Sequence, residues 1–400
     1  MHLYVHIPFC HRRCGYCSFA AVAAPEPPQR AWLAALKMEF AARRRAWPEL
    51  FGALETLYFG GGTPSLLTPA FYAEFIDFLA VESGFTEDVE ITLEANPADL
   101  TRERAVGYRS AGINRLSLGV QTFAAAGLAR LGRRHDAAGA REAVAAARAA
   151  GCGNLNLDLI IAWPGQTEKE LADDLAEVKA LLPEHLSCYL LTLEPDTPLG
   201  RQVAAGRLRL PGEELQTALL ERVRQGLGAA GYLHYEVSNY ARKPEFRSRH
   251  NLAVWHLADY LGLGAGACGA RHLGAEHPGW IERYRNHPEP NRYLTVLADN
   301  TGQMAAPAGR PDSSWCEREI VNRRQALVEA VMLGLRLREG ILLPRLAREF
   351  GPEAVAGLRR RARPLLRDGL LELGPTPAGE RLRIAVSGLW LSDEIILRLI

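Results

Sequence analysis

"HIPFCHRRCGYCSF", the stretch from His6 to Phe19, contains three cysteines within eight residues. Cys10, Cys14 and Cys17 follow a C-x3-C-x2-C spacing. Thiolates at such spacing are typical of a zinc site or an iron–sulfur cluster, and three unrelated buried thiols explain this density poorly. Structural metal sites usually have four protein ligands, so three thiolates predict a metal centre with one position open for another ligand.

The identity of the metal stays open on this evidence alone. A zinc ion would take its fourth ligand from His2, His6 or His11. An iron–sulfur cluster held by three cysteines would instead leave one iron free to bind a small molecule.

The bulk composition limits the class of protein. The chain has 400 residues, is 48% hydrophobic and carries a formal net charge of +1. These values predict two domains, or a large barrel with an appendix, and give no general case for nucleic-acid binding. Seven cysteines favour a reducing cytosol, and the four outside the cluster are interpreted as buried small hydrophobes. Without a long apolar run or a signal-peptide pattern, we expect a cytoplasmic protein with no transmembrane segment.

The first half of the chain alternates short apolar segments with amphipathic helical segments. This order predicts a parallel sheet with right-handed crossovers. Strands are predicted at 3–7, 54–60, 89–94, 115–121, 155–161 and 186–194, and helices at 29–45, 69–80, 102–111, 137–149 and 168–181.

Within the predicted strands, aliphatic and polar residues alternate. In "NLNLDLI", for example, the leucines alternate with Asn154, Asn156 and Asp158. Strands buried on both faces would be continuously apolar, so one face of this sheet should meet helices and the other a polar space. A parallel barrel with a polar lumen fits, with Glu94, Gln121 and Asp158 at the carboxyl ends of its strands, where barrel active sites lie.

The regular alternation of strands and helices ends at about residue 210. A helix is predicted at 213–229, a linker rich in Pro, Gly and Ala at 302–314, and helices at 318–338, 344–350 and 352–368, followed by a β-ribbon. Helices followed by a ribbon are similar to a small winged-helix domain. We therefore expect a barrel over 1–210, an extension of the barrel over 211–300 and a C-terminal domain over 301–400.

A glycine-rich segment follows "LADY". Gly264, Gly266 and Gly269 match the G-x-G-x-x-G pattern of dinucleotide-binding sites. That site requires a strand before the glycines and a helix after them, and "LADY" is a poor strand. We interpret the segment as a turn that closes the barrel region.

The cysteine motif followed by "FGGGTPS" (59–65) resembles the radical S-adenosylmethionine (SAM) superfamily. The similarity to the anaerobic coproporphyrinogen III oxidase group extends over nearly the whole chain, through "YVHIPFC", "LEANP", "LSLGVQTF", "HYEVSNYA" and "RHNLAVWHLADYLGLGAGACG". It implies a partial (β/α)6 barrel with a small C-terminal winged-helix-like domain. It also implies a [4Fe–4S] cluster, SAM bound at the open iron, and an electron donor for the cluster.

The resemblance assigns the cysteines to the cluster and a second set of residues to SAM. No residue is assigned a catalytic role. The residues that fall on the family's cofactor-binding positions are Tyr4, Tyr16, Gly61, Gly62, Thr63, Glu94, Gln121, Arg133 and Asp158.

The branch of the group is indicated by Phe19. The oxidases carry a fourth cysteine there, whereas the heme-chaperone branch carries an aromatic residue. That branch also has an H-N-x-x-Y-W motif linked to heme, and this chain has His250, Asn251 and Trp255 but valine in place of the tyrosine. Arg249 could pair with a heme propionate. On the residues alone, a histidine hydrogen-bonded in a turn is the favoured interpretation of His250, and the heme assignment comes from the resemblance.

The resemblance therefore implies a cytoplasmic heme chaperone without coproporphyrinogen dehydrogenase activity. Its expected partners are heme and heme-requiring acceptor proteins, respiratory ones among them, and homodimer formation and peripheral contact with the inner face of the membrane are further expectations. The alternatives are an oxygen-independent coproporphyrinogen III oxidase, which performs radical decarboxylation, and a zinc-bound structural or RNA-modifying protein, which would need a fourth metal ligand.

Overall fold

A computed structural model describes residues 1–299 and 316–400 of the chain. The predicted linker at 302–314 and the predicted domain boundary at 300–301 lie outside the described residues. The strands are β1 (His2–Ile7), β2 (Phe9–Cys10), β3 (Val22–Ala23), β4 (Leu54–Gly61), β5 (Phe85–Ala95), β6 (Arg115–Gln121), β7 (Leu155–Ile161), β8 (His185–Leu190), β9 (Leu233–His234), β10 (Asn239–Ala241), β11 (Tyr260–Leu263), β12 (Cys268–His272), β13 (Ile281–Asn286), β14 (Cys316–Val321), β15 (Ile341–Leu342), β16 (Leu371–Thr376) and β17 (Gly379–Ile384).

The helices connect successive strands of the first half and dominate the C-terminal part. They are α1 (Gln29–Ala46), α2 (Pro69–Glu82), α3 (Arg102–Ser110), α4 (Ala125–Leu131), α5 (Ala137–Ala149), α6 (Glu168–Leu181), α7 (Pro198–Ala204), α8 (Glu213–Ala229), α9 (Arg249–Trp255), α10 (Pro290–Asp299), α11 (Arg323–Arg336), α12 (Leu343–Phe350), α13 (Pro352–Arg367) and α14 (Ser392–Leu399). Across the described residues, none of these helices combines the length and the apolar character that crossing a membrane requires.

The largest sheet has the strand order β14-β13-β12-β11-β1-β4-β5-β6-β7-β8-β10-β9. From β11 to β8 each neighbouring pair is parallel, and the strands on either side of this block are antiparallel. The six strands β1, β4, β5, β6, β7 and β8 with their crossover helices confirm the predicted partial (β/α)6 barrel.

Side-chain alternation explains why these strands form a barrel wall. Leu155, Leu157 and Leu159 of β7 are fully buried in the main hydrophobic core, together with residues of the surrounding helices. Asn156 and Asp158, between them, point to the opposite face. The predicted separation into an apolar outer face and a polar inner face is therefore confirmed for this strand.

Several predicted boundaries were wrong. β8 ends at Leu190 rather than at 194, because its partner β7 ends at Ile161. The helix predicted from 318 begins only at Arg323, since Cys316–Val321 pairs antiparallel with β13 and the Asn322 side chain caps α11. The short helix α4 was not predicted.

Two expectations about the second half of the chain differ from the structure. Tyr260–Leu263 is a strand after all, parallel to β1, but the glycines that follow lead into the antiparallel strand β12 and not into a helix. The dinucleotide interpretation therefore still fails. Of the four cysteines expected to be buried, Cys268 is exposed at the start of β12, and the other three are buried.

The C-terminal residues form a second hydrophobic core. It contains Leu335, Leu346, Leu358 and Leu382, among others, and Val321 of β14 also contributes to it. The order α11-β15-α12-α13-β16-β17, with the three strands in one sheet, is that of a winged-helix domain. The small domain expected from sequence is therefore present, although β14, inside the range assigned to it, belongs to the barrel sheet.

Candidate functional site

A cavity of about 360 Å³ lies at the carboxyl ends of the barrel strands, beneath the loop that carries the three cysteines. It brings together most of the residues that the sequence assigned to the site. Those lining it are Cys10, Cys14, Tyr16, Cys17, Gly61, Gly62, Thr63, Glu94, Gln121, Arg133, Asp158 and Asn251. Tyr4, Arg249, His250 and Trp255 do not line it.

Two of the three cysteine sulfurs receive hydrogen bonds from neighbouring side chains. Thr63 Oγ1 donates to Cys10 Sγ at 3.5 Å, and the Arg133 guanidinium donates to Cys14 Sγ at 3.3 Å. Burial raises the pKa of the Cys10 and Cys17 thiols. A set made only of thiols, with donors directed at sulfur, fits an iron–sulfur cluster, since such hydrogen bonds stabilise thiolates bound to iron. The fit is one of donor chemistry and not of spacing, since within the described residues no three His, Cys, Asp or Glu side chains lie close enough together to hold a metal ion.

The glycine-rich turn after β4 is packed directly against the cysteine segment. The Gly62 amide donates to Ile7 O, and the Thr63 amide donates to Phe9 O, both at 2.8 Å. A Cβ on Gly62 would lie 2.7 Å from Phe9 O and 3.0 Å from Cys10 Sγ. Gly61 has φ +115°, which also favours glycine. Glycine is therefore required at 62 because the backbone passes too close to the cysteine segment for a side chain.

Glu94, at the end of β5, ties this turn to the barrel wall. Its carboxylate accepts from Tyr58 Oη at 2.8 Å and from the Gly61 amide at 3.1 Å. Burial, and then the nearby negative charge of Asp158, raise the pKa of Glu94 to about 7. A partly buried carboxyl group with an elevated pKa, placed in a cavity, is typical of a functional site and would pair favourably with a cationic group of a ligand.

Asp158, on β7, lies two strands away from Glu94, in a dense polar network. Its carboxylate accepts from Ser117 Oγ at 3.0 Å and from Asn156 Nδ2 at 2.8 Å. Burial raises the pKa of Asp158, and the hydrogen bonds from Ser187, Asn156 and Ser117 oppose this effect. These contacts hold the carboxylate in one orientation at the cavity wall.

Gln121 and Arg133 form the side of the cavity that faces the cysteine loop. Gln121, the last residue of β6, has φ +71°. Arg133 Nη2 donates to Gly119 O at 2.6 Å, while its other terminal nitrogen contacts the Cys14 sulfur. Tyr16 packs in a small apolar cluster beside Leu191. Burial raises the pKa of Tyr16.

Tyr4, which the resemblance assigned to cofactor binding, does not line the cavity. Its hydroxyl bonds to His6 Nδ1 at 3.0 Å, and its ring stacks on Tyr58 at 6.0 Å between centroids. His6 Nε2 contacts Ala20 O at 2.9 Å, so it is the protonated nitrogen and Nδ1 accepts from Tyr4. Tyr4 therefore supports Tyr58 and does not line the cavity.

The heme-motif residues are divided between the cavity and the region next to it. His250 is 5% exposed; its Nδ1 bonds to Thr56 Oγ1 at 2.8 Å, and its amide donates to Glu90. Burial lowers the pKa of His250 to about 3, so the imidazole is neutral. Arg249 forms an ion pair with Asp88 at 3.0 Å.

Several cavity residues were not singled out from the sequence. Tyr58, Arg115, Ser187 and Tyr189 all line the cavity. Strand register is the signal that could have found them, because residues paired across parallel strands share a face. Ser187, for example, pairs with Asp158.

Six parallel strands around a cavity that contains charged and polar side chains, with three cysteines and a glycine-rich turn at its rim, define a radical SAM barrel. Residues 4–178 match the Radical SAM superfamily, and residues 321–391 match the HemN C-terminal domain. Coproporphyrinogen III oxidase (HemN) from Escherichia coli has the same fold, with a TM-score of 0.78 at 23% identity over 99% of this chain and 89% of that one.

Proteins with similar sequences identify the family within the radical SAM superfamily. The heme chaperone HemW of Mycobacterium tuberculosis is 34% identical over 98% of this chain and 93% of its own length. HemW of Escherichia coli is 38% identical over 67% of this chain and 69% of its own. The mouse mitochondrial protein radical S-adenosyl methionine domain-containing protein 1 is 33% identical over 100% of this chain and 87% of its own. The chain belongs to the radical SAM superfamily, in the family that contains the heme chaperone HemW.

Proposed function

We propose that this protein is a heme chaperone that carries a [4Fe–4S] cluster and SAM, binds heme and delivers it to acceptor proteins. The observation that carries the proposal is the combination at the cavity rim: three cysteines with Phe19, and no fourth cysteine, in a chain that matches HemW over nearly its full length. Phe19 lines the cavity and is 62% exposed, so its position is open to a ligand and offers no thiol.

Cys10, Cys14 and Cys17 would hold the cluster, and the polar wall of the cavity would hold SAM. Together, the two groups supply one-electron chemistry when bound. The glycine-rich turn would allow the cofactor to approach the backbone closely, and Glu94 would accept from a cationic group of the cofactor. Arg133 would place a positive charge beside the Cys14 sulfur. The other assigned residues, Tyr16, Thr63, Gln121 and Asp158, would complete the wall, and Tyr4 would support it from below.

Heme binding would involve the segment that begins at Arg249. A neutral imidazole is the form that binds iron, and Thr56 engages Nδ1 of His250, which leaves Nε2 as the ligand atom. Asn251 lines the cavity, which places the motif next to the proposed cofactor site. Arg249 would have to exchange its ion pair with Asp88 for a propionate. Cytoplasmic location, contact with a membrane surface, an electron donor, a homodimer and respiratory acceptors are parts of the same proposal.

The test separates the chaperone from the oxidase. Anaerobically reconstituted protein should contain about four irons per chain, and Cys10→Ser, Cys14→Ser and Cys17→Ser should each lose the cluster. The parent should bind heme and should not decarboxylate coproporphyrinogen III. His250→Ala should change the heme absorption spectrum, whereas His256→Ala, one residue beyond α9, should not.

Each contrary result has a distinct meaning. Decarboxylation by the parent protein would assign the chain to the oxidases. Heme binding that is indifferent to His250→Ala would move the heme site elsewhere. Stoichiometric zinc, with no iron, would contradict the cluster and the proposal with it.

A further inference from the structure

The turn that follows β6 is strained. Gln121 has φ +71°, a conformation that side-chain-bearing residues seldom adopt. The Thr122 amide donates to Val120 O at 3.0 Å, which closes a three-residue γ-turn around Gln121. The γ-turn with positive φ is the rarer and more strained of the two forms. The pairing of β6 with β7 also shifts in register between Leu118 and Gln121.

The strained turn directs one side chain into the candidate site. Gln121 lines the cavity, whereas the next residue, Thr122, is fully buried on the opposite side. A strained conformation persists only where surrounding contacts enforce it, and such conformations concentrate at binding sites. The neighbouring contacts should therefore show what holds this turn in place.

Asp174, in the middle of α6, makes those contacts. Its carboxylate accepts from Thr122 Oγ1 at 2.8 Å and from the Phe123 amide at 2.7 Å. Asp174 is 2% exposed. The Thr122 hydroxyl oxygen in turn accepts from the Ala124 amide at 3.1 Å, at the N-cap of α4. One buried carboxylate therefore binds both residues that follow Gln121.

We infer that Asp174 is a positioning residue for SAM binding: it holds the strained turn after β6 so that the Gln121 side chain is presented to the cofactor. Asp174 itself does not line the cavity. The inference rests on the proposed binding of SAM by Gln121. It extends the site to a crossover helix whose other charged residues lie on the surface.

A double-mutant cycle on the anaerobically reconstituted protein tests this role, with SAM affinity measured by equilibrium binding. Asp174→Asn should weaken binding by about three- to tenfold, because the near-isosteric amide loses one acceptor and the turn relaxes. In a Gln121→Gly background the same change should have less than about a twofold effect, since glycine adopts positive φ without strain and presents no side chain. Asp173→Asn is the matched control: Asp173 is exposed and pairs with Lys169 on the surface of α6, so affinity should not change.

A second measurement needs neither cluster nor cofactor. Hydrogen exchange of the Phe123 amide should be faster in Asp174→Asn than in the parent or in Asp173→Asn, because its acceptor is weakened. Thr122→Val, which leaves α6 intact, should reproduce part of the loss in SAM affinity.

The outcomes separate this inference from the proposed function. If Gln121→Gly weakens SAM binding but Asp174→Asn does not, the positioning role is wrong and the site assignment stands. If Asp174→Asn has the same effect in both backgrounds, it acts on general stability, and the inference fails. If Gln121→Gly binds SAM as tightly as the parent, Gln121 does not contact the cofactor. The assignment of Gln121 to the SAM site and the positioning role of Asp174 are then both wrong.

Discussion

Replacement of Gly62 by alanine tests how closely the glycine-rich turn and the cysteine segment are packed. The new Cβ would lie 2.7 Å from Phe9 O, 3.0 Å from Ile7 O and 3.0 Å from Cys10 Sγ. Two of these three neighbours are backbone atoms, so no change of side-chain rotamer can relieve the contact. The same carbonyls accept the Gly62 and Thr63 amides at 2.8 Å, so a shift that makes room would stretch both hydrogen bonds.

Overpacking of this kind typically costs about 1–3 kcal/mol. For a chain of 400 residues, we expect a fall in Tm of about 1–4 °C and, because Cys10 is displaced, a reduced iron and sulfide content after anaerobic reconstitution. Gly15→Ala is the control: it lies in the cysteine loop and has no heavy atom within 4 Å of the added Cβ. A Gly62→Ala protein with the iron content and Tm of Gly15→Ala would show that the turn and the cysteine segment are not in this contact.

Two further predictions concern charged groups. Glu94→Gln should lower SAM affinity by about tenfold or more, because it removes a charged acceptor. It should leave the cluster intact, because Glu94 is not a metal ligand. Equal SAM affinity of the parent and Glu94→Gln in an equilibrium binding assay would contradict the site assignment. His272 links β12 to Asp259 at 2.6 Å and to Glu349 of α12, and these partners raise its pKa to about 9. The stabilising effect of protonated His272 should be fully present below the unfolded pKa of about 6.5 and be lost as the pH rises through about 9. The Tm difference between the parent and His272→Gln should therefore vanish above pH 9.

The barrel could be predicted from the sequence because its signals are local. The strands β6 and β7 and the helices α5, α6 and α8 have the predicted bounds. Each carries a clear two-residue or 3.6-residue periodicity, which depends only on neighbours along the chain. The same alternation identified the face on which Glu94, Gln121 and Asp158 lie.

Features that depend on distant partners could not be predicted. Cys316–Val321 has no strong strand signal of its own, and it becomes β14 because β13 offers an edge for pairing. The burial of His250 depends on Thr56 and Glu90, which are about 160 and more residues away in sequence. Asp174 is one of two adjacent aspartates in "ADDL", and only the packing of α6 distinguishes the buried one from its exposed neighbour.

A continuous set of hydrogen bonds joins the candidate cofactor site to the start of α9. Asn156 donates to Asp158 and accepts from His185 Nδ1 at 2.6 Å. His185 Nε2 then accepts from Tyr235 Oη at 2.8 Å, and the same Tyr235 oxygen accepts the Ser248 amide at 3.2 Å. Ser248 is the N-cap of α9, the helix that carries the proposed heme motif. Asn156, His185, Tyr235 and Ser248 are all buried. Because each has one orientation that satisfies its partners, the direction of the Asp158 carboxylate and the starting point of α9 are determined together.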